Sequence, residues 1–160
     1  MIIVSDAGPL IALAKTNHLN ILKGLFEKVI IPPSVFDELR ISTSRPGANE
    51  LKKAIERTKW LEVSGPVHVP GVPFNSFDKG EVEAIILAKT KKMVLLIDER
   101  RARRIAKKEN VKITGIGAVL VAAKRKGIIK KVSLVLDELT EEGYRISKTL
   151  RKRILELAEE

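Results

Sequence analysis

"MIIVSDAGPLI", residues 1–11, sets a short β-branched run against an aspartate and then a Gly-Pro pair. Ile2 to Ser5 shows no alternation of polar and apolar residues, which marks a strand buried on both faces. Pro9 suits the first turn of a helix, and Leu10, Ile11, Leu13 and Ala14 carry that helix towards Thr16 and Asn17. On this reading Gly8-Pro9 opens the helix, and Asp6 stands one step too early to be its ordinary cap. The side chain of Asp6 is then free for chemistry at the end of a strand.

Outward from this stretch, apolar strands and helices alternate. A short helix is expected around Leu19 to Phe26, a strand at Val29–Ile31 stopped by Pro32-Pro33, and a helix "VFDELR" capped by Ser34. Leu51, Ala54 and Ile55 share helical spacing, "WLEV" reads as a strand in which Trp60 joins the core, and Ser64 to Ser76 is a Pro- and Gly-rich loop. Then follow the helix "FDKGEVEAIILAKTKK", the strand "MVLLI", the basic helix "ERRARRIAKKEN", the strand "VKI" and the helix "GAVLVAAKRKG" closed by Gly127. Residues 129–160 read as two amphipathic helices, with Gly143 ending one and Ser147 capping the next. Such alternation implies parallel βαβ units, an α/β protein with helices on both faces of a sheet.

The chain of 160 residues is the size of one domain, 1–160, with 129–160 as a helical extension. Only 4% of residues are aromatic, so Ile, Leu, Val and Ala must build the core. With 30 Lys and Arg against 20 Asp and Glu, the net charge of +10 favours a polyanionic partner. The absence of cysteine excludes disulfides and thiolate metal sites. No apolar stretch is long enough to span a membrane and no signal peptide is evident, so a soluble, cytoplasmic protein without membrane contact is expected.

Asp6 follows the first strand and Asp98 the fourth, and in an open α/β sheet ligands bind beyond the carboxyl ends of strands where their order reverses. Glu38 borders the buried stripe of its helix, three residues beyond Val35, and Glu81 lies four before Ile85 on another. Four acids from four elements are thus expected to converge. Crowded carboxylates repel one another unless a cation sits among them, and oxygen donors without Cys or useful His select Mg²⁺ or Mn²⁺. Each acid also has a structural reading: Asp78 to Glu81 fits a capping box, Asp98 fits a cap of the basic helix, and Glu38 fits a pair with Arg40. Arg100, Arg103, Arg104 and Lys107 recur at helical spacing beside Asp98 and would meet phosphates, or form a solvated face. His18 and His68 are isolated and read as surface residues.

Taken together, "VSDAGPLIALAK", "IPPSVFDEL", "DKGEVEAIILA", "LLIDERRARRIA" and "LDELTEEGYRIS" resemble the PIN-domain proteins, in particular a DUF3368-like prokaryotic branch of predicted nucleic-acid-binding domains of unknown function. The resemblance covers essentially the whole chain. It implies a three-layer α/β/α sandwich around a parallel sheet of about five strands, and a Mg²⁺- or Mn²⁺-dependent endoribonuclease acting on RNA, like the toxins of toxin–antitoxin pairs. It matches Asp6, Glu38, Glu81 and Asp98 to the four family acids, as catalytic and metal-binding residues. Asp78 or Glu83 are alternatives to Glu81, Glu99 is an alternative to Asp98, and Thr114, just after the last strand, matches a further site position. An antitoxin-like protein partner and a homodimer, with the basic helix near its interface, are further implications. The competing readings are a non-catalytic nucleic-acid-binding or regulatory PIN module, and a receiver-type phospho-acceptor. "WLEVSG" lacks the aspartate the receiver would need.

Overall fold

The computed structural model describes residues 1–70 and 77–160; of the expected loop at 64–76, positions 71–76 lie outside the described residues, and 64–70 form neither helix nor strand. The elements run β1 (Ile2–Ser5), α1 (Ala7–Lys15), α2 (Asn20–Leu25), β2 (Lys28–Ile31), α3 (Pro33–Leu39), α4 (Ala48–Glu56) and β3 (Leu61–Val63). They continue with α5 (Lys79–Lys91), β4 (Leu95–Leu96), α6 (Arg100–Lys108), β5 (Ile113–Thr114), α7 (Ile116–Arg125), α8 (Val132–Glu141) and α9 (Lys148–Leu157).

The five strands are all parallel, in the order β3-β2-β1-β4-β5. The chain begins in the middle, winds to one edge, and returns to the other side of β1. Strand order therefore reverses between β1 and β4, whose register pairs Val4 with Leu95 and Ser5 with Leu96. Ile3, Val4, Val29, Ile31, Leu95, Leu96 and Ile97 are fully buried, as a sheet covered on both faces requires. Helices α1, α3, α4 and α5 pack among themselves, as do α2, α7, α8 and α9, giving the layers of an α/β/α sandwich. Trp60 is buried in the core beside β3, as expected, and its carbonyl accepts from Val29 N at 2.9 Å.

Strand β4 is shorter than the expected "MVLLI", because only Leu95 and Leu96 find ladder partners. The boundary of α3 also differs from expectation. Pro33 occupies the first helical turn, where its fixed φ is favourable and its missing N–H is no loss, so the helix starts before Ser34 and not after it. Ser34 is thereby freed from capping. At the other end of the chain, Gly143 adopts φ +93 after α8, and Ser147 Oγ accepts from Leu150 N to open α9, both as the sequence indicates. The Glu160 carboxylate accepts from Val132 N at 2.7 Å and Ser133 N at 3.1 Å, while Lys124 Nζ donates to Ala158 O at 2.7 Å. These bonds fasten α7, α8 and the end of α9 together. Among the described residues no helix is long and apolar enough to cross a membrane.

Candidate active site

Because β1 and β4 are parallel neighbours, Asp6 and Asp98 leave the sheet at the same end. Asp6 N donates to Leu96 O at 3.0 Å, which fixes the residue against β4. Contrary to expectation, α1 begins at Ala7, which puts Asp6 at the N-cap position; Pro9 lies inside the first turn, as expected. The first four helical amides have no intrahelical acceptor, so a proline there removes nothing. Yet the Asp6 side chain makes no capping hydrogen bond. It is only 8% exposed, and burial pushes its carboxyl up to about 6, against the pull of the Ala7 amide and with the negative charges of Asp78, Asp98 and Glu99 adding to the rise.

Glu38 reaches the same field from α3. Burial first, then a hydrogen bond to Asp78 and the charges of Asp78, Asp6 and Glu81, push it up to about 8. Glu38 therefore holds its proton to a higher pH than an ordinary glutamate. Gly80 is what lets it lie there, because a Cβ at that position would collide with Glu38 Oε1. Glu81 enters from the first turn of α5, pushed up to about 7 by burial and by Asp6, Glu99 and Asp78, with Arg101 opposing. Asp78 caps α5 by accepting from Gly80 N at 2.9 Å and Glu81 N at 3.2 Å, so this acid has a structural task beside its place in the field.

Asp98 is held differently. It does not cap α6, which is the work of Glu99 through Ala102 N at 2.7 Å. Instead Asp98 accepts from Ile116 N, at 3.1 and 3.2 Å, at the start of α7, and from the hydroxyl of Tyr144. Burial raises its carboxyl, opposed by Tyr144, the Ile116 amide and Arg103. A Cβ on Gly115 would stand 2.5 Å from Asp98 Oδ1, so glycine keeps that approach open.

Glu83, offered as an alternative to Glu81, is engaged elsewhere. Glu83 is 4% exposed and accepts from both the backbone N, at 3.1 Å, and the hydroxyl of Ser34, joining α5 to the first turn of α3. Thr114 is the last residue of β5 and not a position after it, and its carbonyl accepts from Ile97 N at 2.9 Å. His18 is not isolated, since its Nε2 lies 2.8 Å from Glu138 Oε2.

The basic helix borders the same end. Arg100, Arg104 and Lys107 are exposed, and Arg103 is half-buried and donates to Ile97 O at 2.7 Å. All four line a groove of about 640 Å³ that reaches Asp98. The structural partners of Asp98 and Glu83 were not visible in the sequence. Tyr144 carried a signal, being the single tyrosine of the chain inside the distinctive "EEGYRIS" segment.

Among the described residues, carboxylates are what crowd the cleft, and the repulsion felt by Asp6, Glu38 and Glu81 is what a divalent cation would relieve. The donor chemistry fits Mg²⁺ or Mn²⁺. Among the described residues no three acids or histidines form a ready-made ion cage, so the carboxylates share a field and not yet a coordination sphere. Asp6, Glu38 and Glu81 each have side-chain torsions through which to close on an ion.

Residues 2–160 match the family described as DUF3368: PIN domain. A PilT N-terminus domain protein from the hyperthermophilic archaeon Sulfolobus solfataricus has a similar fold, with a TM-score of 0.51 at 17% identity over 77% of this chain and 93% of its own. A domain of a functionally unknown protein from Methanocaldococcus jannaschii gives a TM-score of 0.49 at 20% identity, over 71% of this chain and 89% of its own. No curated protein matches the sequence.

Proposed function

Since this chain belongs to the DUF3368 family of PIN domains, and PIN domains are generally nucleases, we propose that it is a divalent-metal-dependent endoribonuclease. The observation that carries the reading is the concentration of Asp6, Glu38 and Glu81, with Asp78 and Glu99, where β1 and β4 part. At a pH where these carboxyls are ionised, such an arrangement is unfavourable unless a cation is held among them.

Asp6, Glu38 and Glu81 would hold Mg²⁺ or Mn²⁺, with Asp98 behind them on its Tyr144 and Ile116 bonds. A bound ion of this kind activates water and steadies the leaving oxygen of a phosphodiester, so neither Ser nor Cys is needed as a nucleophile. Glu38, whose carboxyl is raised by burial and by Asp78, would give up its proton on binding such an ion. Asp98, braced at the start of α7, fixes the wall of the cleft nearest the basic helix. The α6 cations Arg100, Arg104 and Lys107 face the approaching RNA, and Arg103 orders the turn after β4 through Ile97 O.

The test is incubation with mixed RNA and Mn²⁺, against EDTA and against Asp6→Asn. Cleavage is expected only in the first mixture, with the variant at least about 100-fold slower, the scale of losing a major charge-stabilising group. Equal degradation by the variant would refute the assignment.

A further inference from the structure

The groove beside Asp98 has a second wall that the α6 motif does not supply. It is contributed by the segment from Arg145 through α9, so that Arg145 and Arg153 face the same space as Arg100, Arg103, Arg104 and Lys107. Among the described residues, no acid but Asp98 lines this groove. None of the six cations forms an ion pair with a carboxylate among the described residues. The contrast within α9 is direct: Arg151 pairs with Asp137 at 2.8 Å, whereas Arg153 is left without a carboxylate on the groove side. Between the cations the lining is aliphatic, with Leu150 50% and Leu157 42% exposed. Among the described residues no aromatic lines the groove.

We infer that this groove is a two-walled track for the sugar–phosphate backbone of single-stranded RNA, leading to the carboxylate cleft past Asp98, and that Arg145 and Arg153 are phosphate-binding residues. Two features favour a nucleic acid over an acidic protein surface. The groove reaches Asp98, whose charge is also felt at Asp6 in the cleft, so a chain lying in it passes beside the carboxylates. Its charge is also spread along both walls and not gathered at one point, as a regularly charged backbone requires. With nothing to stack on, bases would not be read there, and contacts fall on phosphate and sugar. The direction of the track rests on the nuclease reading, since a strand must have a cleft to lead to.

The test is fluorescence anisotropy of a labelled mixed-sequence single-stranded RNA in EDTA, so that binding is read without cleavage, across a salt series. The double variant Arg145→Gln with Arg153→Gln is compared with Lys52→Gln with Lys91→Gln, which makes the same change in net charge on α4 and at the far end of α5. Each phosphate contact contributes about −0.7 to the slope of log K against log salt for single strands, so the groove variant is expected to flatten the slope by about 1.4 and the control to leave it nearly unchanged. An unaltered slope and affinity in the groove variant would overturn the track and leave the groove to an acidic protein surface. The same fall in both variants would overturn it in favour of general charge attraction. The two readings separate cleanly: a flattened slope in a protein without Mn²⁺-dependent cleavage keeps the track and removes the nuclease, and cleavage with an unchanged slope does the reverse.

Discussion

On one side of Asp98 lie carboxylates lacking enough cations to neutralise them; on the other lie cations without carboxylate partners. Asp6, Glu38 and Glu81 are all raised by burial and by neighbouring carboxylates, whereas Arg100, Arg104, Lys107, Arg145 and Arg153 line a groove in which, among the described residues, Asp98 is the single acid. A fold indifferent to function would interleave these charges, as it does where Lys28 meets Glu62 and Lys89 meets Glu109 at 2.7 Å each. Segregation leaves both regions unsatisfied within the chain. A divalent ion completes the first and a polyanion the second, and the end of β4 is where the two meet.

The largest effect expected from disturbing this division is the loss of RNA cleavage in Asp6→Asn, because that substitution removes the most buried member of the acidic side. The next separates acids that work for the site from acids that work for the fold. Glu81 and Glu83 are two residues apart on α5, yet Glu83 is consumed by Ser34 while Glu81 faces Asp6 and Glu99. Glu83→Gln leaves Ser34 short of an acceptor and is expected to cost about 1–3 kcal/mol in urea unfolding. Glu81→Gln is expected to leave stability equal or higher at pH 8. Equal losses from both would erase the distinction.

A smaller effect follows from pH. Asp6, Glu81 and Glu38 stand at about 6, 7 and 8 in the folded chain, above ordinary values of 3.8 for Asp and 4.5 for Glu. Acids raised in this way stabilise the fold fully below their unfolded values, and that contribution is lost as pH rises through the folded ones. In EDTA the melting temperature should therefore fall as pH rises from about 4 to about 8, and saturating Mn²⁺ should reverse the fall. Glu160 acts in a separate window. Despite some desolvation, bonds from Ser133, Val132 and Lys124 hold it down to about 2, so its contribution is present above its ordinary 4.5 and lost only in stronger acid. A melting temperature flat between these limits in EDTA would mean that the carboxylates do not feel one another.

The architecture was legible because the strands carry continuous apolar runs and the helices between them carry 3.6-residue spacing. The placement of Asp6 and Asp98 at one end followed from strand order alone. What stayed hidden were interactions without a local pattern. Gly8-Pro9 was read as the entry of α1 and Ser34 as the cap of α3, both placing the helix start too late, because proline is tolerated throughout a first turn whose amides have no acceptor. Tyr144 and Asp98 are 46 residues apart, as Ser34 and Glu83 are 49 apart, and nothing in either neighbourhood announces the partner. The groove wall at Arg145 and Arg153 was invisible for the same reason, since only the docking of α9 on α7 brings it opposite α6.

The central claim is that carboxylates from separate elements meet to hold one kind of ligand. Calorimetric titration of Mn²⁺ into the wild-type chain and into Asp6→Asn at pH 8 tests it without relying on turnover. Saturable binding by the wild type, weakened at least about tenfold in the variant, is the result predicted. Identical isotherms for the two proteins, or no binding by the wild type, would contradict it.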